Sequence, residues 1–293
     1  MKFDHIDQGK PFDWGKASAD YAKYRDIYPA AFLQKILDLG LCGPGQHVLD
    51  LGTGTGVLPR ALYPYGAKFT GVDISANQIE QARRLSEGMD IDYIVSPAEE
   101  IDFPDGSFDN ALACMCFAYF DKTRTLPRIH RLLKDNGRFA VLSMVWLPDE
   151  SEIAAGSEAL VLKYNPAWNG AGFQRVTFEA DGWPKGMIRF NPAWGFALET
   201  AFAFDVPVSF TRATWHGRML ACRGIGASSL TPEQIAAFEA EHLAYVTQQP
   251  EAFGVPHSAA FCVVKKTQIC DDAMVLADCN AHTPRIATSI HFR

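Results

Sequence analysis

The chain has 293 residues with 48% hydrophobic and 21% charged side chains, enough to bury one substantial core as a single domain with a lid. Its net charge of −7 argues against nucleic acid as a partner, because phosphate backbones select basic faces. The first thirty residues lack a continuous apolar stretch, and the longest apolar run, Ala111–Phe120, is about half of the ~20 residues a membrane span needs. We therefore expect no membrane insertion, a cytoplasmic location and, with seven cysteines in no framework spacing, reduced thiols.

In chain order, an N-terminal helical cap over 12–40 carries Trp14, Tyr21, Tyr24 and Arg25. A cofactor core over 46–146 follows, in which strands are read at Val48–Leu51, Phe69–Asp73, Asp92–Val95, Asn110–Cys116 and Arg138–Val145, with helical periods between them. Ser75 and Gln78 read as a capping box before Ile79, Ala82 and Leu85, with Gly88 as the helix stop. Leu126, Ile129, His130 and Leu133 form a second helical face. Alternating strands and helices predict a doubly wound parallel sheet with helices on both faces and ligands at the carboxyl ends of its strands.

The sharpest local signal is His47-Val-Leu-Asp-Leu-Gly-Thr-Gly-Thr-Gly56, a strand that ends in an acid and enters three alternating glycines. Gly52, Gly54 and Gly56 would let the backbone approach a ligand where a Cβ would collide. A dinucleotide fingerprint has its third glycine one residue later. Asp73 lies 21 positions beyond Gly52, suited to accept both hydroxyls of a ribose. Asp50 adds a charge that repels a pyrophosphate and suits a sulfonium or ammonium group.

This combination resembles the class I S-adenosylmethionine-dependent methyltransferases, and more narrowly the methyltransferase type 11 group that acts on small molecules. The likeness runs over roughly residues 12–266, taking in Pro97-Ala98-Glu99-Glu100, Phe103–Asp109, the turn Arg131–Gly137 and Trp215-His-Gly-Arg218. It implies a Rossmann-like, seven-stranded, mostly parallel sheet whose last strand inserts antiparallel. It also implies S-adenosyl-L-methionine as cofactor, leaving S-adenosyl-L-homocysteine as product. The residues expected to hold it are Tyr21, Arg25, Asp50, Gly52, Thr53, Gly54, Gly56, Asp73, Ile74, Ser75, Gln78, Ala98, Glu99, Cys114 and Met115.

Residues 147–196, holding Trp168, Trp183 and Trp194, have no sustained period and read as an aromatic-rich lid continued at 211–250. Strands near 203–210 and 259–266 and a helix from Thr231, with Pro232 first and Gln234 closing the cap, complete a single domain over 1–266. Residues 267–293 show no pattern and are expected to be a poorly ordered tail. A substrate pocket is expected at Tyr119, Trp146, Trp215 and Arg218, with Arg218 or Arg223 pairing a substrate carboxylate or lid acids. His216 is the candidate general base, against the alternative of bracing the lid, whereas His130 and His242 read as core-edge residues. Cys114 and Cys116 could suggest a soft metal site, but no second ligand pair lies nearby in sequence, so packing is preferred and no metal is expected.

The expected activity is methyl transfer to the oxygen or nitrogen of a small apolar or aromatic metabolite. Carbon methylation of a quinone-like substrate is the alternative. Readings of another class are a nicotinamide-dependent oxidoreductase and a non-catalytic binder of the same ligand.

Overall fold

The computed structural model describes residues 1–25, 27–190 and 194–269. Seven strands, β1 (His47–Leu51), β2 (Lys68–Asp73), β3 (Ile91–Val95), β4 (Phe108–Cys114), β5 (Leu133–Trp146), β6 (Phe196–Thr211) and β7 (Ala252–Lys266), form one sheet in the order β3-β2-β1-β4-β5-β7-β6. The pairs among β1 to β5 are parallel, while β7 runs antiparallel to both β5 and β6. Helices α1 (Ser18–Tyr24), α2 (Ala30–Asp38), α3 (Val57–Leu62), α4 (Ala76–Leu85), α5 (Lys122–Leu132), α6 (Glu152–Tyr164), α7 (Arg212–Leu220) and α8 (Pro232–Thr247) cover its faces.

Strand alternation divides the core into two. Val48, Leu112 and Ala140 point into one cluster and Leu49, Ala111 and Phe139 into the other, as expected of a sheet buried on both faces. Because β1 lies between β2 and β4, which lead away in opposite directions, its carboxyl end is the switch point at which such sheets bind ligands.

Several sequence-based boundaries move. β4 ends at Cys114, not Cys116, because Met115 adopts φ 59° and turns the chain out of the sheet. β7 begins at Ala252 and runs through Pro256, a residue that argues against a central strand from sequence. Its carbonyl is still used, accepting from Leu147 N at 2.9 Å, and its partner Pro207 lies on the edge strand β6. The supposedly patternless segment contains α6, capped where Ser151 accepts from Ala154 N. Small residues hid it: a Cβ on Gly156 would sit 2.2 Å from the Tyr245 hydroxyl oxygen, so a smooth small-residue face is what lets α6 meet α8. The Ser75 cap forms, but Gln78 does not close a box. Its amide donates to Trp14 O at 3.0 Å, tying α4 to the N-terminal segment. α4 stops at Leu85, and Gly88 (φ 82°) shapes the turn beyond. Thr267 N donates to Gly195 O at 2.7 Å and Thr267 O accepts from His130 Nε2 at 2.8 Å, one residue beyond the expected limit of 266. The expected tail from 270 onward lies outside the described residues.

Candidate cofactor and acceptor site

The turn after β1 lies against a cavity of about 110 Å³ that opens to solvent. Gly52, Gly54 and Gly56 all take positive φ, 62°, 57° and 74°, a region that favours glycine. They serve different neighbours. Gly52 and Gly54 line the cavity. A Cβ on Gly52 would also meet Cys116 Cβ at 2.7 Å, and one on Gly56 would meet the Tyr93 hydroxyl oxygen at 2.2 Å. Gly56 thus permits helix-to-sheet packing and does not face the cavity.

Asp73 ends β2 at the cavity wall, where Gly54 N donates to its Oδ2 at 3.0 Å and Ser75 N donates to its Oδ1 at 2.8 Å. Each oxygen keeps a lone pair for a ligand donor. Burial raises the carboxyl pKa, against the two backbone N–H groups that lower it. Asp50 lies beneath the turn and outside the cavity wall, 2% exposed and accepting from Thr53 Oγ1 at 2.6 Å. Burial lifts its pKa to about 7, with Thr53 pulling down and Asp73 pushing up. Its charge near neutrality is therefore conditional on what occupies the neighbourhood. Thr53 and Ser75 likewise support the turn from behind and do not line the cavity.

The remaining wall comes from widely separated segments. Tyr21 and Arg25 of the N-terminal cap, Ile74 and Gln78 after β2, Ala98 and Glu99 after β3, and Cys114 and Met115 at the end of β4 all face the cavity. The Arg25 guanidinium lies 4.5 Å from the Tyr21 ring centroid and donates to its hydroxyl at 3.3 Å. Gln78 is 2% exposed, and its Oε1 has no hydrogen-bond partner. Ile74 is 51% exposed at the rim. Sequence reasoning missed Trp14, Cys116 and Phe120 as wall residues. Trp14 could have been found from its spacing to Tyr21, which it meets edge-on at 5.8 Å; Phe120 carries no sequence signal.

The two cysteines at the end of β4 and just beyond it are bound as thiols. Cys114 donates to the Tyr28 hydroxyl at 3.1 Å and Cys116 to Leu51 O at 3.0 Å. Burial pushes Cys114 up to about 12 and Cys116 well above its ordinary value.

The residues expected to form a substrate pocket separate. Tyr119 lines the cavity, whereas Trp146 and Trp215 belong to the core, 4% and 0% exposed. Trp215 Nε1 donates to Ser157 Oγ at 2.9 Å and Trp146 Nε1 to Glu158 Oε1 at 2.6 Å. Trp168 enters one core cluster and Trp183 the other, so the aromatic segment is largely core and not cavity wall. His216 does not reach the cavity. Its Nδ1 lies 2.8 Å from Nδ1 of the fully buried His242, whose Nε2 meets Ser157 Oγ at 2.9 Å. Burial holds His216 below its ordinary pKa and His242 down to about 3. Arg223 pairs with Asp7 at 3.1 Å and Asn169 Oδ1 at 2.9 Å, leaving Arg218 as the buried arginine without an acid.

The features that test the fit of S-adenosylmethionine are present: a glycine cradle, an anchored carboxylate with free lone pairs, and an orphaned Gln78 oxygen that would accept from an ammonium group. Among the described residues, no helix is long and apolar enough to cross a membrane.

A family model described as a methyltransferase domain matches residues 49–141. The chain is 36% identical over 107 residues to the methyltransferase phqN of Penicillium fellutanum, covering 34% of this chain and 33% of that protein. It is 34% identical over 106 residues to the O-methyltransferase resE of Aspergillus sclerotiorum, covering 34% and 40%. With the demethylmenaquinone methyltransferase of Thermus thermophilus it shares 33% over 114 residues, covering 37% and 52%. The chain thus spans about a third to a half of the length of these relatives. In fold it is similar to a protein of Anaeromyxobacter dehalogenans provisionally assigned as a type II methyltransferase, with a TM-score of 0.51 at 19% identity, covering 82% of this chain and 97% of that one. The matched segment begins inside β1 and carries both the glycine turn and Asp73, so it is over residues 49–141 that the chain is similar to methyltransferase domains.

Proposed function

We propose that the protein transfers the methyl group of S-adenosylmethionine to a small acceptor by in-line displacement. The observation that carries this reading is the cavity in which Gly52, Gly54, Asp73 and the unpartnered Gln78 Oε1 converge. When bound, the cofactor supplies an electrophilic methyl on a sulfonium, so the protein's task is alignment and exclusion of water.

The chain's residues divide that task. Asp73 would accept from the two ribose hydroxyls, Gln78 Oε1 would accept from the ammonium, and the Arg25 fork would hold the methionine carboxylate. Ile74, Ala98 and Glu99 line the same cavity and would hold the adenine. Trp14, Tyr21 and Tyr119, packed at ring separations of 5.8 and 6.4 Å, close the cavity from the N-terminal side. Cys114 and Cys116 stay protonated, which keeps two thiolates from competing for the methyl.

Oxygen or nitrogen is favoured over carbon as acceptor atom. Calorimetric titration with S-adenosylhomocysteine tests the cofactor reading, with roughly micromolar affinity expected. Binding of NADH in its place would support the oxidoreductase. A metabolite screen for a 14 Da gain then separates enzyme from non-catalytic binder: cofactor binding with no product from any acceptor would leave only the binder.

A further inference from the structure

Two buried polar side chains, Arg218 and His257, do not line the cavity described above and carry nitrogens that lack hydrogen-bond partners. Arg218, in α7, is 2% exposed, and its Nε and Nη1 have no hydrogen-bond partner. Its guanidinium lies 4.8 Å from the Trp146 ring centroid. The charged group acting on it is Arg25, of like sign, alongside Cys222, Tyr21 and Tyr28. Burial, with Arg25 adding to it, lowers Arg218 to about 9, which still leaves it cationic at neutral pH. A buried guanidinium without an acid is costly to the fold, so its retention asks for an anion from outside.

His257 supplies an independent observation. It is fully buried in β7, opposite Trp146 in the strand register, so both stand level with the carboxyl end of β5. Its Nδ1 lies 2.8 Å from Val255 O. A carbonyl can only accept, so Nδ1 carries the proton and Nε2 presents a lone pair. That Nε2 has no partner. Burial lowers His257 to about 4, and the charges of Arg218 and Arg25 act on it in the same direction. Phe210 packs against both this ring and Trp215, the α7 residue one turn before Arg218, at 6.0 and 4.9 Å. A donor fork and a bare acceptor thus stand together, both orphaned.

We propose that the methyl acceptor is a small monocarboxylic acid bearing a hydroxyl or N–H group: its carboxylate pairs with Arg218, and its hydroxyl or N–H donates to His257 Nε2. One uncompensated guanidinium balances one negative charge, whereas a diphosphate would need several cations. A neutral apolar acceptor would leave both groups unpaired. This proposal rests on the methyltransferase reading above.

The test uses the full chain and four probes, benzoate, 4-hydroxybenzoate, anthranilate and phenylacetate, each with its primary amide, titrated with and without saturating S-adenosylhomocysteine. We expect a hydroxy- or amino-acid probe to bind at least tenfold more tightly than its amide, and Arg218→Met to bring the two within threefold. Arg218→Met should keep S-adenosylhomocysteine affinity within threefold and, without ligand, melt no lower than the parent, since it removes an unpaired buried charge. Arg218→Lys keeps the charge but loses the fork, and should retain part of the preference even if the methionine variant fails to fold. Equal binding of acids and amides by the parent protein, or an acid preference that survives loss of the guanidinium, overturns the proposal. Absence of S-adenosylhomocysteine binding would instead strike the methyltransferase reading, and the titrations without it would still decide the anion site.

Discussion

Asp73→Asn tests the cofactor reading at its most specific contact. Each Asp73 oxygen is already held by one backbone N–H, from Gly54 at 3.0 Å and Ser75 at 2.8 Å, leaving one lone pair apiece for a ribose hydroxyl. Hydrogen bonds to a charged partner contribute about 1.5–3 kcal/mol each. Asparagine keeps one neutral acceptor and sets its NH2 group against a backbone N–H, so one hydroxyl contact is lost and the other weakened. The expected loss is about 2–3 kcal/mol, or roughly 30- to 140-fold in Kd for S-adenosylhomocysteine by calorimetry at fixed salt. Part of any loss could arise from a disturbed turn. A cycle with the 2′-deoxyribose analogue separates the two: the parent should discriminate about tenfold against the analogue, and the variant hardly at all. Equal discrimination by both proteins would show that Asp73 only braces the turn and that another group reads the ribose.

Asp50→Asn should stabilise the ligand-free protein above neutrality. The folded pKa of about 7 lies above the ordinary 3.8, so the folded state binds the proton more tightly and stability falls as pH rises through that window. At about 1.4 kcal/mol per unit, the variant gains on the order of 4 kcal/mol by pH 8 and nothing below pH 3.8; a melting-temperature gap that stays constant between pH 4 and 8 would count against a buried, protonated Asp50. Gly56→Ala should lower stability by about 2 kcal/mol or more from strain at positive φ and collision with Tyr93, and Tyr93→Phe in the same chain should restore part of it. No rescue would mean that the strain is all in the backbone. For His216→Ala we expect a lower melting temperature with the acidic limb of the pH–rate profile retained, since its imidazole bonds His242 and not the cavity. Disappearance of that limb would return His216 to the chemistry.

What the sequence revealed was whatever depends on short range. The β1 acid and glycines, Asp73 and the Thr231 cap are each written within a few residues and form where expected, and so does the helical face at Leu126, Ile129 and His130, although Leu133 already opens β5, five residues before the expected Arg138. Roles set by register between distant segments were hidden. His216, His242 and His257 look alike as letters. They differ because α7 turns one toward α8, while pairing with β5 sets His257 opposite Trp146. The tryptophans misled for a related reason. Aromatic density signals burial, and only the fold decides whether it becomes core or cavity wall. Helix α6 escaped notice because its contact face is made of small residues with no strong apolar period.

The antiparallel insertion of β7 has a consequence for how the protein comes to be made. β6 borders β7 alone, and β7 separates it from β5, so until residues 252–266 emerge during synthesis, β6 has no partner and β5 exposes an open edge. The parallel strands β1 to β5 can pair earlier, but the sheet is completed only when its late strand docks between two edges at once. Such an intermediate offers unsatisfied backbone groups to neighbouring chains. Variants that weaken β7, even far from any ligand, would therefore show first as reduced soluble yield, before any change in the cofactor affinity of the molecules that fold.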